Sequence, residues 1–313
     1  MLKKFSLISP ILISIYSYYI FATQHIGLDM YKFFPIERLT IDIINGEGTY
    51  AFSNRLLAPY IIIFISKIGF DLYDSYDLFI KLFFFFNSLI FFYFLRSCKL
   101  NLLNSSLFLI LYNFLICSWY GYYYYPWDFI DTVLFLLLAI WIIKDKSYAY
   151  FIFLFIITLL NGERAIFFSI LMFFNSFDFK SKKINFKSVL IGLILFMATL
   201  LYVDFIREYI TKSNNNLNFF GNSFVLNQNI KNFIFTNWFN HNFFYSISLI
   251  FINIYFFSNF FKFNKKQINL FLIFLTQIIS VFIFGVIEET RVFQFIIPVG
   301  LLLFISIHEK KIN

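Results

Sequence analysis

The chain has 313 residues, of which 60% are hydrophobic and 13% charged, with a net charge of +8 and a mean hydropathy of +0.77. That charged share is about half the usual value for a soluble domain. A soluble globule of this length cannot hide so much apolar surface, so soluble-enzyme, disordered and nucleic-acid-binding classes are excluded together. The 52 Phe stand beside abundant Ile, Asn, Lys and Tyr; they read as a compositional bias in which Phe is the default apolar filler.

Along the chain, apolar stretches fall at 5–23, 56–70, 78–95, 102–119, 128–143, 148–160, 164–177, 188–205, 241–260, 268–286 and 291–307. A spanning helix needs roughly 20 residues, and backbone polar groups in lipid must be satisfied internally. The fold class expected is therefore an all-α integral membrane protein, a single polytopic domain over 1–313. Lys3 and Lys4 precede a first run too long for a signal-peptide core, which is read as the first membrane helix. The stretches 56–70, 148–160 and 164–177 are short and are read as tilted, broken or re-entrant.

The connectors sort by charge. Basic ones carry Lys3 and Lys4; Arg96 and Lys99; Lys144 and Lys146; Lys180, Lys182, Lys183 and Lys187; Lys262, Lys265 and Lys266; Lys310 and Lys311. The others, at 24–55, 71–77, 120–128, 161–164, 206–240 and 287–291, carry acids or mixed charge. Assigning the basic set to the cytoplasm puts both termini there and gives an alternation from residue 78 onward. An even number of crossings follows, about ten: either 56–70 with its Pro59 is re-entrant or interfacial and does not cross, or the charge rule fails once in the first hundred residues. The first loop (24–55) and a second long loop (206–240) are then extracytoplasmic, each long enough for a short amphipathic surface helix. The localisation expected is a bacterial inner membrane.

Ionisable residues at membrane depth are costly and hence functional candidates. Five groups stand out, all on the mixed-charge side. Asp29 follows the first helix and suits a general base toward a hydroxyl or a ligand of a divalent cation; a solvated loop acid is the plainer alternative. Arg55, in Asn54-Arg55-Leu56-Leu57-Ala58-Pro59, opens an apolar run, where it suits a phosphate or a snorkelling anchor. In the run YYYYPWDFID the aromatics read as an interfacial belt. Asp128 and Asp131 lie three apart on one helix face, where acids also favour the helix N-terminus.

Asn161-Gly162-Glu163-Arg164 interrupts a stretch that is otherwise apolar from Ala149 to Phe174. Asn161 reads as a helix cap with Glu163 in the first turn. The short apolar flanks put Glu163 and Arg164 at or below the membrane face, pairing with each other or across a cavity. Glu288, Glu289 and Arg291 open the last apolar segment, and an Arg at a helix N-terminus needs an anionic partner. His241 and His308 lack companions at ligand spacing. Cys98 and Cys117 form neither a metal pattern nor an indicated disulfide. No cofactor signature is present, although a divalent cation is compatible with the acids.

Taken together these motifs resemble a loosely defined group of bacterial membrane proteins with GT-C-type glycosyltransferase architecture. The likeness lies in Asp29 and Tyr31, Gly46 or Gly48, Arg55 to Pro59, Tyr125-Pro126 with Asp128, Asn161 to Arg164, and Glu289, Arg291 and Phe293. The order Glu163-Arg164 reverses the group's usual Arg-before-Glu. The resemblance implies a transferase that moves a sugar from a polyprenyl-phosphate donor to an extracytoplasmic glycan, lipid or protein. Asp29 would act as base, and Arg55, Asp128, Asp131, Glu163, Arg164, Glu288, Glu289 and Arg291 would bind substrate or phosphate. Partners are then the bilayer, the donor and the acceptor, with no nucleic acid. The alternatives are a lipid-linked polysaccharide polymerase or ligase of the O-antigen type, or a non-enzymatic transporter. The 206–240 loop holds few basic residues, Arg207, Lys212 and Lys231, against the one; no internal repeat appears, against the other.

Overall fold

The structure is a computed structural model that describes residues 2–25, 36–47, 54–119, 125–178, 183–206, 208, 241–284 and 290–309. The chain is built of α-helices: α1 (Leu2–His25), α2 (Ile36–Ile44), α3 (Leu57–Lys67), α4 (Leu72–Ser97), α5 (Leu102–Trp119), α6 (Pro126–Lys144), α7 (Tyr148–Asn161), α8 (Ile166–Ser176), α9 (Phe186–Phe205), α10 (His241–Asn259), α11 (Lys265–Phe284) and α12 (Ile297–His308). The only sheet among the described residues is a hairpin of β1 (Phe177–Asp178) and β2 (Lys183–Ile184). Among the described residues α4, α6, α9 and α11 are long and apolar enough to cross a membrane, and Ile8–Thr23, Leu57–Lys67, Leu102–Ser118, Tyr148–Asn161 and Phe293–His308 are shorter apolar helices. This is an all-α architecture of membrane type.

Helix boundaries follow local chemistry. α4 starts earlier than the apolar pattern suggests because Asp71 caps it, accepting from the Asp74 amide at 2.7 Å. α6 starts at Pro126, whose missing N–H is harmless in a first turn. The last apolar segment opens as a 3-10 helix over Thr290–Ile296 and becomes α-helical at Ile297, next to Pro298. Ile36–Ile44 within the first loop is a short amphipathic helix, with Thr40 and Ile43 buried.

Interdigitated rings hold the bundle, because lipid is as apolar as the side chains and helices associate through packing and hydrogen bonds. Phe129 of the central helix α6 is buried against Phe21, Phe79, Phe83 and Phe84. Between α4 and α5, Tyr112 donates to Asn87 Oδ1 at 3.1 Å and Asn113 to Ser88 Oγ at 2.9 Å. Cys98 and Cys117 are buried free thiols.

The contacts also define two ends. At one, Lys144 lies over Phe94 and Lys266 bonds both Ile143 O and Asp145. There too Gln267 reaches Ser306 O and Asn269 reaches Asn175. The connectors around Arg96, Lys144, Lys183 and Lys262 thus share an end. The opposite end gathers the start of α3, the start of α6, the end of α7 and the 3-10 segment before α12.

α3 begins at that second end and joins α4 through the tight turn 68–71. α4 runs parallel to α6, since Phe83 meets Phe129 and Phe94 meets Lys144. α3 packs against α4 and α6, burying Ala58, Pro59, Ile62 and Ile65. Its 11 residues reach only about 16 Å, short of the roughly 30 Å of a hydrocarbon core.

Candidate functional site

The break between α7 and α8 shapes the site. Asn161 is the last residue of α7 and not the cap expected for the next helix. The turn is made by Gly162 at φ +134° and ψ −164°, a region essentially reserved for glycine. A Cβ there would sit 3.2 Å from Arg55 Cγ. A single 3-10 turn, Glu163–Ala165, then leads into α8.

This turn sends two neighbouring side chains to different partners. Glu163 meets the start of α3: its Oε1 accepts from Arg55 Nη2 at 2.7 Å and its Oε2 from Asn54 Nδ2 at 2.7 Å. Arg164 meets the start of α6: its Nη1 donates to Asp128 Oδ1 at 3.0 Å and to Asp131 Oδ2 at 2.6 Å. Glu163 and Arg164 thus bond to side chains on separate segments. Asn161 completes the inner half, donating to Asp131 Oδ1 at 2.7 Å and to Trp127 O at 2.9 Å.

Aromatic rings fix both guanidinium groups. Arg55 lies 5.1 Å over Trp127, which stacks on Tyr125 at 4.7 Å, and Arg164 lies 4.4 Å over Phe295. Trp127 is 1% exposed, so it does not belong to an interfacial belt. It is buried as a platform because Pro126 starts the helix at the depth of the charges.

The network is graded by depth. Side-chain exposure falls from 32% at Glu163, through 14% at Arg55 and 15% at Arg164, to 4% at Asp131 and 0% at Asp128. Among the described side chains the network joins three carboxylates to two guanidinium groups. The carbonyl oxygens of Asn54 and Asn161 are buried, without a partner among the described residues.

Of the expected site residues, Arg55, Asp128, Asp131, Glu163 and Arg164 come together. Asp29, Glu288 and Glu289 lie outside the described residues, as does the side chain of Arg291. The backbone of Arg291 is in the 3-10 segment that delivers Phe295 to Arg164. Asn54, Trp127 and Phe295 were not singled out from sequence. Asn54 adjoins Arg55, but a lone amide and two aromatics in a chain this aromatic offer no distinguishing pattern. Among the described residues no three of His, Cys, Asp and Glu are grouped to hold a metal ion. His308, without companions at ligand spacing, is exposed and hydrogen-bonds the Tyr255 hydroxyl at 2.7 Å. No family model, curated protein or solved structure matches the chain.

Proposed function

We propose that the protein is a membrane glycosyltransferase that moves a sugar from a polyprenyl-phosphate donor to an extracytoplasmic acceptor. The observation that carries this reading is the convergence of Arg55, Asp128, Asp131, Glu163 and Arg164, from three separate segments, on one network. That network lies at the end opposite the basic connectors. Asp128 stands 16 residues before Lys144 in α6, about 24 Å along the axis. In a bilayer whose hydrocarbon core is roughly 30 Å thick, this is the level of a phosphate whose isoprenoid tail lies among the helices.

In this reading about ten segments cross a bacterial inner membrane and both termini are cytoplasmic. The guanidinium groups stabilise charge on the departing phosphate, and Asp29 takes the proton of the acceptor hydroxyl. The test is glycan and lipid analysis of cells lacking the protein, complemented with wild type or with Asp29→Asn. Wild type restores the missing sugar and Asp29→Asn, inserted at equal level, does not. Identical glycans and lipids with and without the protein remove the enzyme reading.

A further inference from the structure

The Asn54–Arg55 corner is an anion-binding corner already filled by an anion. Two donors, Asn54 Nδ2 and Arg55 Nη2, each hold one oxygen of Glu163 at 2.7 Å. A phosphate presents pairs of oxygens in the same way, and a guanidinium fork accepts either group. Arg55 is held in place independently of Glu163. Its guanidinium lies on Trp127, and its Cγ fills the space that the missing side chain of Gly162 leaves.

Glu163 is the outermost member. It is the most exposed charge of the network, and it sits on a single 3-10 turn between two helices. Its neighbour Arg164 is anchored separately by two carboxylates, so Glu163 can leave the corner while the inner half stays in place. Asn54 Oδ1 is buried without a partner among the described residues, and a hydroxyl on an incoming ligand would supply its donor.

We propose that Asn54, Arg55 and the Trp127 platform form a phosphoester cradle, and that Glu163 is a displaceable placeholder which occupies it until a phosphate arrives. The lipid nature of that phosphoester rests on the transferase reading; the cradle does not. Its consequence is a competition: an empty cradle keeps its half-buried arginine paired, and a bound phosphate works against the carboxylate.

The experiment measures binding of a polyprenyl monophosphate to the full chain in nanodiscs of neutral lipid, with inorganic phosphate as a separate probe. Glu163→Gln, which removes the competing charge, binds about tenfold tighter than wild type, a difference of about 1.4 kcal/mol. Arg55→Gln abolishes the gain in either background. Tightening for inorganic phosphate alone supports the cradle and assigns it to a soluble phosphate. Should Glu163→Gln fold poorly, Glu163→Asp, whose carboxylate is withdrawn by one methylene, also tightens. Unchanged or weaker binding in a folded variant of either kind overturns the proposal. Sugar transfer without any tightening overturns the placeholder and leaves the enzyme standing. Tightening without sugar transfer does the reverse.

Discussion

Arg164 ion-pairs with two buried carboxylates. Asp128 is 0% exposed and Asp131 4%, and Arg164 donates to both. Removing one partner of a buried pair costs about 3–5 kcal/mol, because the remaining charge stays buried. Arg164→Met is therefore strongly destabilising, whereas Asp131→Asn added to it relieves part of the loss. A double-mutant cycle followed by denaturant unfolding in detergent checks this, with a coupling of about 1–3 kcal/mol expected. Additive effects of the two substitutions show that Arg164 and Asp131 do not depend on each other. The sequence marked both residues as candidates, and their spacing made Asp128 and Asp131 neighbours on one face. It did not pair Arg164 with that face, since the pairing spans 33 residues and depends on how α7 meets α6.

At the scale of the element, the interruption at Asn161-Gly162 matters more than any helix around it. α7 and α8 are short because the chain turns at Gly162, and the turn separates Glu163 from Arg164. Gly162→Ala combines backbone strain with a Cβ 3.2 Å from Arg55 Cγ. Gly69, at φ +118°, is the control: it also has a left-handed backbone, but nothing lies within 4 Å of an added Cβ. Alanine at either position carries strain of about 1–3 kcal/mol. Thermal unfolding in detergent is expected to show a larger loss for Gly162→Ala than for Gly69→Ala, together with weakened Arg55–Glu163 pairing. Equal losses mean that the Gly162 turn does not position Arg55. Asn161 was the element-level misreading. An Asn before Gly-Glu resembles a cap, but its amide is drawn to Asp131 and Trp127 O by packing that a local pattern does not contain.

At the scale of the whole molecule, charge sorting and geometry agree on two ends. The basic connectors meet through contacts such as Lys144 with Phe94 and Lys266 with Asp145; the ion-pair network lies at the other end. The expectation that 56–70 does not cross puts the α3–α4 turn at the network's end. Substituted-cysteine labelling tests this. Cys98 and Cys117 are buried, so the background is low once they are replaced. A cysteine at exposed Lys67 is expected to react with an impermeant thiol reagent from one side of the membrane. Cysteines at exposed Lys146 and Lys262 are expected to react from the other side. Labelling of positions 67 and 146 from the same side contradicts the two-ended arrangement.

Composition and periodicity alone determined that this chain is an all-α protein of membrane type, because 60% apolar residues in runs of helical length leave a bilayer-spanning bundle as their natural burial. The position of the few charges also indicated which residues to watch, since an ionised group at membrane depth persists only with a partner. Who those partners are was a tertiary decision. Glu163 and Arg164 are adjacent in the chain and chemically complementary, yet the backbone at Gly162 directs one to Asn54 and Arg55 and the other to Asp128 and Asp131. Buried ion pairs form where helix packing brings the groups within about 3 Å, and that distance is set by the arrangement of α3, α6 and α7, which no local stretch of sequence encodes.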